Sequence, residues 1–227
     1  MVHGRTRVKI CGLTREGDIH CAVQAGADAI GFVFYPKSSR FVSLDQARGL
    51  RACVPTLVSA VALFVNASPD EVRAVIAHVK PDVLQFHGDE TPEYCAQFDH
   101  PYWKAFRVGG PGLETPQAVL AACRQFPGAA GWLFDSYSSG YGGSGLKLDT
   151  GLLHAIAQDL ESRPMVLAGG LAADSVGRSI QEIQPYAVDV SSGVEVSGGI
   201  KSPEKIHAFM DAVKRAARPA SRFTPTR

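Results

Sequence analysis

Cys11 and Asp135 are the residues of this chain best placed by type and position for acid–base chemistry. Cys11 closes the apolar run Arg7-Val8-Lys9-Ile10-Cys11, just before Gly12-Leu13-Thr14, and Asp135 closes Trp132-Leu133-Phe134-Asp135. A thiol, with a reference pKa of about 8.5, can accept a proton near neutrality, more readily beside a positive charge or a helix terminus. A carboxyl can donate one once a closed site or a neighbouring dianion raises its pKa. Lys9 and Cys11 are two positions apart, so they face one side of a strand with Cys11 nearer its end. Arg40, in Pro36-Lys37-Ser38-Ser39-Arg40, has the planar fork that suits a carboxylate, and His87 ends Leu84-Gln85-Phe86-His87 in a supporting position. Two glycine-rich runs, Leu167-Ala168-Gly169-Gly170-Leu171 and Val190-Ser191-Ser192-Gly193-Val194, can bring backbone N–H groups close to an anion.

These residues need a frame that brings distant strand ends together. Short runs rich in valine, isoleucine and phenylalanine alternate with helix-periodic segments along the whole chain, which is the pattern of parallel β/α architecture. Strands are expected to start near Val8, Ala29, Ala60, Val83, Tyr102, Gly131, Met165 and Ala187. Eight strand–helix units predict a single, compact (β/α)8 TIM barrel, with C-terminal strand ends around one reaction site and a phosphate site in the loops after strands seven and eight. Helix stripes recur in Val72, Val75, Ile76, Val79 and in Ile206, Phe209, Met210, Val213. Ser68-Pro69, Thr91-Pro92, Thr115-Pro116 and Ser202-Pro203 mark helix starts, with Glu71 placed to complete a capping box. The barrel is expected over residues 1–217. Residues 218–227, rich in proline, serine, threonine and arginine, read as a disordered tail. Ser139-Gly140-Tyr141-Gly142-Gly143-Ser144-Gly145 is expected to close over a ligand as a lid.

Bulk composition narrows the function class. With 227 residues, 45% apolar, 20% charged and a formal charge of +1, the chain can bury a full core and lacks the basic platform of a nucleic-acid or anionic-membrane binder. No apolar segment has the length of a membrane span, and a cytoplasmic protein acting on a small molecule is expected. Five cysteines without a C-x-x-C pair predict reduced thiols and no metal site. Cys123 lies on the apolar face Val119, Ala122, Cys123, Phe126 and reads as a small buried hydrophobe. No coiled-coil heptad or long apolar helix face identifies an interface; a monomer or homodimer is expected.

Taken together, Lys9-Ile10-Cys11-Gly12-Leu13-Thr14, Pro36-Lys37-Ser38-Ser39-Arg40, Gln85-Phe86-His87-Gly88, Gly142-Gly143-Ser144-Gly145, Leu167-Ala168-Gly169-Gly170-Leu171 and Val188-Asp189-Val190-Ser191-Ser192-Gly193-Val194-Glu195 resemble the phosphoribosylanthranilate isomerases of tryptophan biosynthesis, over nearly the whole chain. The resemblance implies Cys11 as general base, Asp135 as general acid and Arg40 at the anthranilate end of the substrate. It also implies a phosphate site at Gly143, Ser144, Gly169, Gly170, Ser192 and Gly193, an Amadori rearrangement as the reaction, and no cofactor. The chain departs from the family's usual pattern at Phe86, at Ser144, and at Leu148-Asp149-Thr150, where an aromatic residue normally stands.

Two rival readings have their own signatures. A Schiff-base lyase or aldolase would use Lys9 or Lys104, and a sugar-phosphate isomerase with paired aspartates would need an aspartate where strand one has Cys11. A non-catalytic barrel that only binds a phosphoribosyl ligand would keep the phosphate loops; the presence of both Cys11 and Asp135 argues against it.

Overall fold

The computed structural model describes residues 5–138, 147–159 and 161–216. The expected lid over Ser139 to Gly145, including Gly143 and Ser144, and the expected tail at 218–227 lie outside the described residues.

Eight strands close into one parallel barrel in sequence order: β1 (Arg7–Cys11), β2 (Ala29–Val33), β3 (Ser59–Phe64), β4 (Val83–Phe86), β5 (Tyr102–Val108), β6 (Gly131–Ser136), β7 (Met165–Leu167) and β8 (Ala187–Val190), with β8 paired to β1. The outer helices are α1 (Glu16–Ala25), α2 (Leu44–Ala52), α3 (Pro69–Val79), α4 (Pro92–Ala96), α5 (Pro116–Arg124), α6 (His154–Ala157), α7 (Val176–Ile183) and α8 (Pro203–Ala216). An antiparallel hairpin, β9 (Glu195–Ser197) and β10 (Ile200–Lys201), follows β8.

The helix boundaries follow from local chemistry. Oγ of Ser68 accepts from the N–H of Glu71 at 3.3 Å, while the Glu71 carboxylate accepts from the N–H of Ser68 at 2.7 Å, the reciprocal arrangement of a capping box. The hydroxyls of Thr91, Thr115 and Ser202 accept the N–H groups of Tyr94, Ala118 and Lys205. Inward stripes then bury Val72, Val75 and Val79 of α3 and Ile206, Phe209, Met210 and Val213 of α8, which presses each helix onto the barrel. Cys123 is fully buried on the inner face of α5, where burial pushes its thiol far up.

Alternation along the strands fills the barrel interior in layers. Ala105, Leu133, Val166, Ala168 and Ala187 form one apolar cluster, and Cys11, Val33, Leu63 and Val65 form another. The ionisable interior groups are held on the same alternation: Lys9 with Cys11 on β1, and Asp189 on β8 in register with Lys9.

Candidate active site

Cys11, Arg40, His87, Asp135, Gly169, Gly170 and Ser192 line one cavity at the C-terminal mouth of the barrel. Gly193 is outside this lining; it packs against the carbonyl of Leu171, in a space that no side chain could share.

Asp135 is buried at the end of β6. Its Oδ1 accepts from the N–H of Ser136 at 2.9 Å, and its Oδ2 lies 3.2 Å from Nε2 of His87. The second contact is too far off line to count as a hydrogen bond, so it acts through charge and dipole. The amide nitrogen of fully buried Gln85 lies 3.0 Å from Nδ1 of His87. An amide N–H can only donate, so Nδ1 accepts and the imidazole carries its hydrogen on Nε2, facing Asp135. Gly169, at φ +82°, lies against the same carboxyl: a Cβ there would stand 2.7 Å from the Ser136 nitrogen and 3.1 Å from Oδ1 of Asp135.

Around Cys11 the constraint is also steric. A Cβ on Gly31 would lie 2.8 Å from Sγ of Cys11 and 3.1 Å from Cε of Lys9, so β2 must be bare where it faces the thiol. Burial pushes the Cys11 thiol up, against the pull of Lys9 and Lys201. Positive charges are present beside the thiol, yet loss of solvent outweighs them.

Arg40 does not stand alone. Its Nε and Nη2 donate to Oε1 and Oε2 of Glu195 at 2.8 and 2.7 Å, leaving Nη1 as the edge free for a ligand carboxylate. Glu195 also accepts from Lys201 at 2.7 Å, and Lys201 donates to the Cys11 carbonyl at 2.6 Å. This chain of contacts ties the loop after β2, the β9–β10 hairpin and the end of β1 together. From sequence alone, Gln85, Asp189, Glu195 and Lys201 had no assigned role. Gln85 and Asp189 could have been found by their two-residue spacing from His87 and Ser191. Lys201, 190 residues from Cys11, has no such local signal.

The lysines of the rival reading are both paired with carboxylates. Lys9 is nearly fully buried with Nζ 3.0 and 2.9 Å from the Asp189 oxygens; burial favours loss of its proton, but Asp189 and Cys11 hold it above the ordinary lysine range. Lys104 donates to the carbonyl of Gly88 at 2.6 Å and to Glu90 at 3.1 Å, and does not line the cavity. A Schiff-base lysine must be open to substrate, and neither amine lines the cavity.

A closed eight-stranded β/α barrel with its reactive groups collected at the strand C-termini is a TIM barrel of the enzyme type. Residues 8–212 match the model of the N-(5'-phosphoribosyl)anthranilate (PRA) isomerase family. The N-(5'-phosphoribosyl)anthranilate isomerase of Bordetella pertussis is 60% identical over 210 residues, spanning 92% of this chain and 96% of the relative. The crystal structure of phosphoribosyl anthranilate isomerase from Thermotoga maritima superposes with a TM-score of 0.83 at 36% identity, covering 92% of this chain and 99% of that one. A phosphoribosyl anthranilate isomerase in complex with reduced 1-(o-carboxyphenylamino)-1-deoxyribulose 5-phosphate gives 0.80 at 33% identity, with the same coverage. The chain belongs to the phosphoribosylanthranilate isomerase family and is an isomerase of tryptophan biosynthesis. Among the described residues, no helix is long and apolar enough to cross a membrane.

Proposed function

We propose that Asp135 and Cys11 are the general acid and general base of an Amadori rearrangement, converting N-(5-phospho-β-D-ribosyl)anthranilate to 1-(2-carboxyphenylamino)-1-deoxy-D-ribulose 5-phosphate. The observation that carries this reading is that a thiol and a carboxyl from opposite parts of the sequence line one cavity with the glycine-rich ends of β7 and β8. Asp135 protonates the ring oxygen, the bond from that oxygen to C1 breaks, and the nitrogen lone pair forms the C1=N iminium. The iminium acidifies the C2 hydrogen. Cys11, as thiolate, takes that proton, and the electron pair left behind forms the C1=C2 bond of an enolamine. Loss of the C2 hydroxyl proton and protonation of C1 complete the ketone.

The ligand of the solved relative, a reduced 1-(o-carboxyphenylamino)-1-deoxyribulose 5-phosphate, shares the carboxyphenylamino and phosphate ends, and so supports placing both ends of the substrate in this cavity. In this reading Gly169, Gly170 and Ser192 receive the phosphate, with Gly193 setting the loop that holds it, and the resemblance adds Gly143 and Ser144. Arg40 offers Nη1 to the anthranilate carboxylate, and His87 steadies Asp135. The five cysteines are all unpaired, which suits the reducing cytoplasm where we place the reaction.

The test is to generate phosphoribosylanthranilate in situ and follow its fluorescence with the purified protein. Catalytic loss of the signal with formation of the ketone is expected. Saturable binding without product, the behaviour of a barrel that has kept its ligand site and lost turnover, would overturn the proposal.

A further inference from the structure

We propose that Lys9 is a positioning residue for Cys11: its ammonium, fixed by both oxygens of Asp189, stands against the sulfur and stabilises the thiolate as it forms. This inference rests on the reading of Cys11 as the base.

Lys9 is 1% exposed, and a buried ammonium is costly unless its charge is met. Asp189 meets it through two contacts at 3.0 and 2.9 Å, made possible because β8 sets Asp189 in register beside Lys9. An ammonium has three N–H donors. Two go to the carboxylate, and the third remains for the thiol, which lies on the same face of β1 two residues on. The closeness is geometric as well as electrostatic: Sγ of Cys11 and Cε of Lys9 both crowd the one point above Gly31.

Four charged groups act on the thiol or feel it. Lys9 on β1, Lys201 on β10 and Arg40 after β2 are cations, and Asp189 on β8 is the anion. The Lys9 ammonium therefore sits between a carboxylate and a thiol. At rest, burial favours the protonated thiol. When that proton leaves to water through the open cavity, the third donor of Lys9 meets the new thiolate, which then takes hydrogen from the substrate. Among the influences on this thiol, Lys9 is second only to burial and opposes it.

The test is the pH dependence of iodoacetamide alkylation of Cys11 in the full chain, resolved from the partly exposed Cys21 and Cys53 by peptide mass spectrometry. Lys9→Met should move the alkylation midpoint to higher pH, and for every pH unit the midpoint rises the rate below it should fall about tenfold. Asp189→Asn should move it to lower pH, because the charge of Lys9 is then no longer shared. A purely structural pair would not move the midpoint in opposite directions. Should Lys9→Met fail to fold with Asp189 unpaired, the double variant Lys9→Met/Asp189→Asn removes both charges, and its midpoint should still lie above the wild-type one. Midpoints equal to wild type in the Lys9 variants would overturn the influence of Lys9 on the thiol. Near-native kcat in Cys11→Ala would instead overturn the base reading, and the alkylation midpoints keep the two failures apart.

Discussion

Arg40 grips Glu195 through two parallel N–H···O contacts at 2.8 and 2.7 Å, so the guanidinium enters the cavity already oriented. Its aliphatic stem lies over Gly12, where a Cβ would collide with it. Arg40→Ala is therefore expected to weaken substrate binding more than turnover. Loss of one charged hydrogen bond, worth about 1.5–3 kcal/mol, corresponds to a KM about 10- to 100-fold higher. Steady-state kinetics checks it; a fall in kcat with unchanged KM would place Arg40 in the chemical step instead.

Glu195 should also make the fold sensitive to acid. Burial would raise its carboxyl, but the hydrogen bonds from Arg40 and Lys201 prevail and hold it below its ordinary value of 4.5. A depressed folded-state pKa contributes stability that is present above the unfolded value and is lost as pH falls through the folded one. Denaturant unfolding between pH 6 and pH 3, on the order of that window, should show wild-type stability declining through the acidic half, and Glu195→Gln should show a shallower decline. Equal slopes would contradict it.

Gly31→Ala should cost activity out of proportion to stability. The added methyl would stand 2.8 Å from Sγ and 3.0 Å from Cα of Cys11, so the thiol or the strand must move. Overpacking of this kind destabilises by about 1–3 kcal/mol, while the displaced sulfur loses its line to the substrate. Thermal unfolding and kcat measured on the same sample separate the two effects. A fully active variant would show that the sulfur has room to spare.

Gln85→Leu should lower kcat with little change in KM, by about tenfold if it loosens one electrostatic support of the acid. Without the amide at 3.0 Å from Nδ1, nothing on β4 holds the hydrogen of His87 on Nε2 toward Asp135. Nitrogen NMR of the imidazole reads the tautomer directly. An unchanged tautomer with unchanged kcat would remove Gln85 from the site.

Much of this was legible in the sequence because strand ends and helix starts are written locally. The expected strand starts match the observed ones, with β1 and β3 each beginning one residue earlier, and the Ser-Pro and Thr-Pro pairs lie at the helix starts. Cys11 and Asp135 stood out because each interrupts an apolar run at its end. The hairpin was not legible: strands of three and two residues carry no period, and their register emerges only once β8 is in place. The Arg40–Glu195–Lys201 chain was hidden for the same reason, since its members meet only after the barrel closes. For Cys11, the sequence suggested that charge would lower the thiol, whereas depth of burial, a property of the whole fold, decides the direction.

The central claim is a division of labour between one thiol and one carboxyl, and turnover by Cys11→Ala and Asp135→Asn at saturating substrate tests it most directly. General acid–base groups contribute about 10²- to 10⁴-fold, so each variant should lose kcat on that scale while KM stays within a few-fold of wild type. Near-native kcat in either variant would remove that residue from the proton transfers and contradict the mechanism.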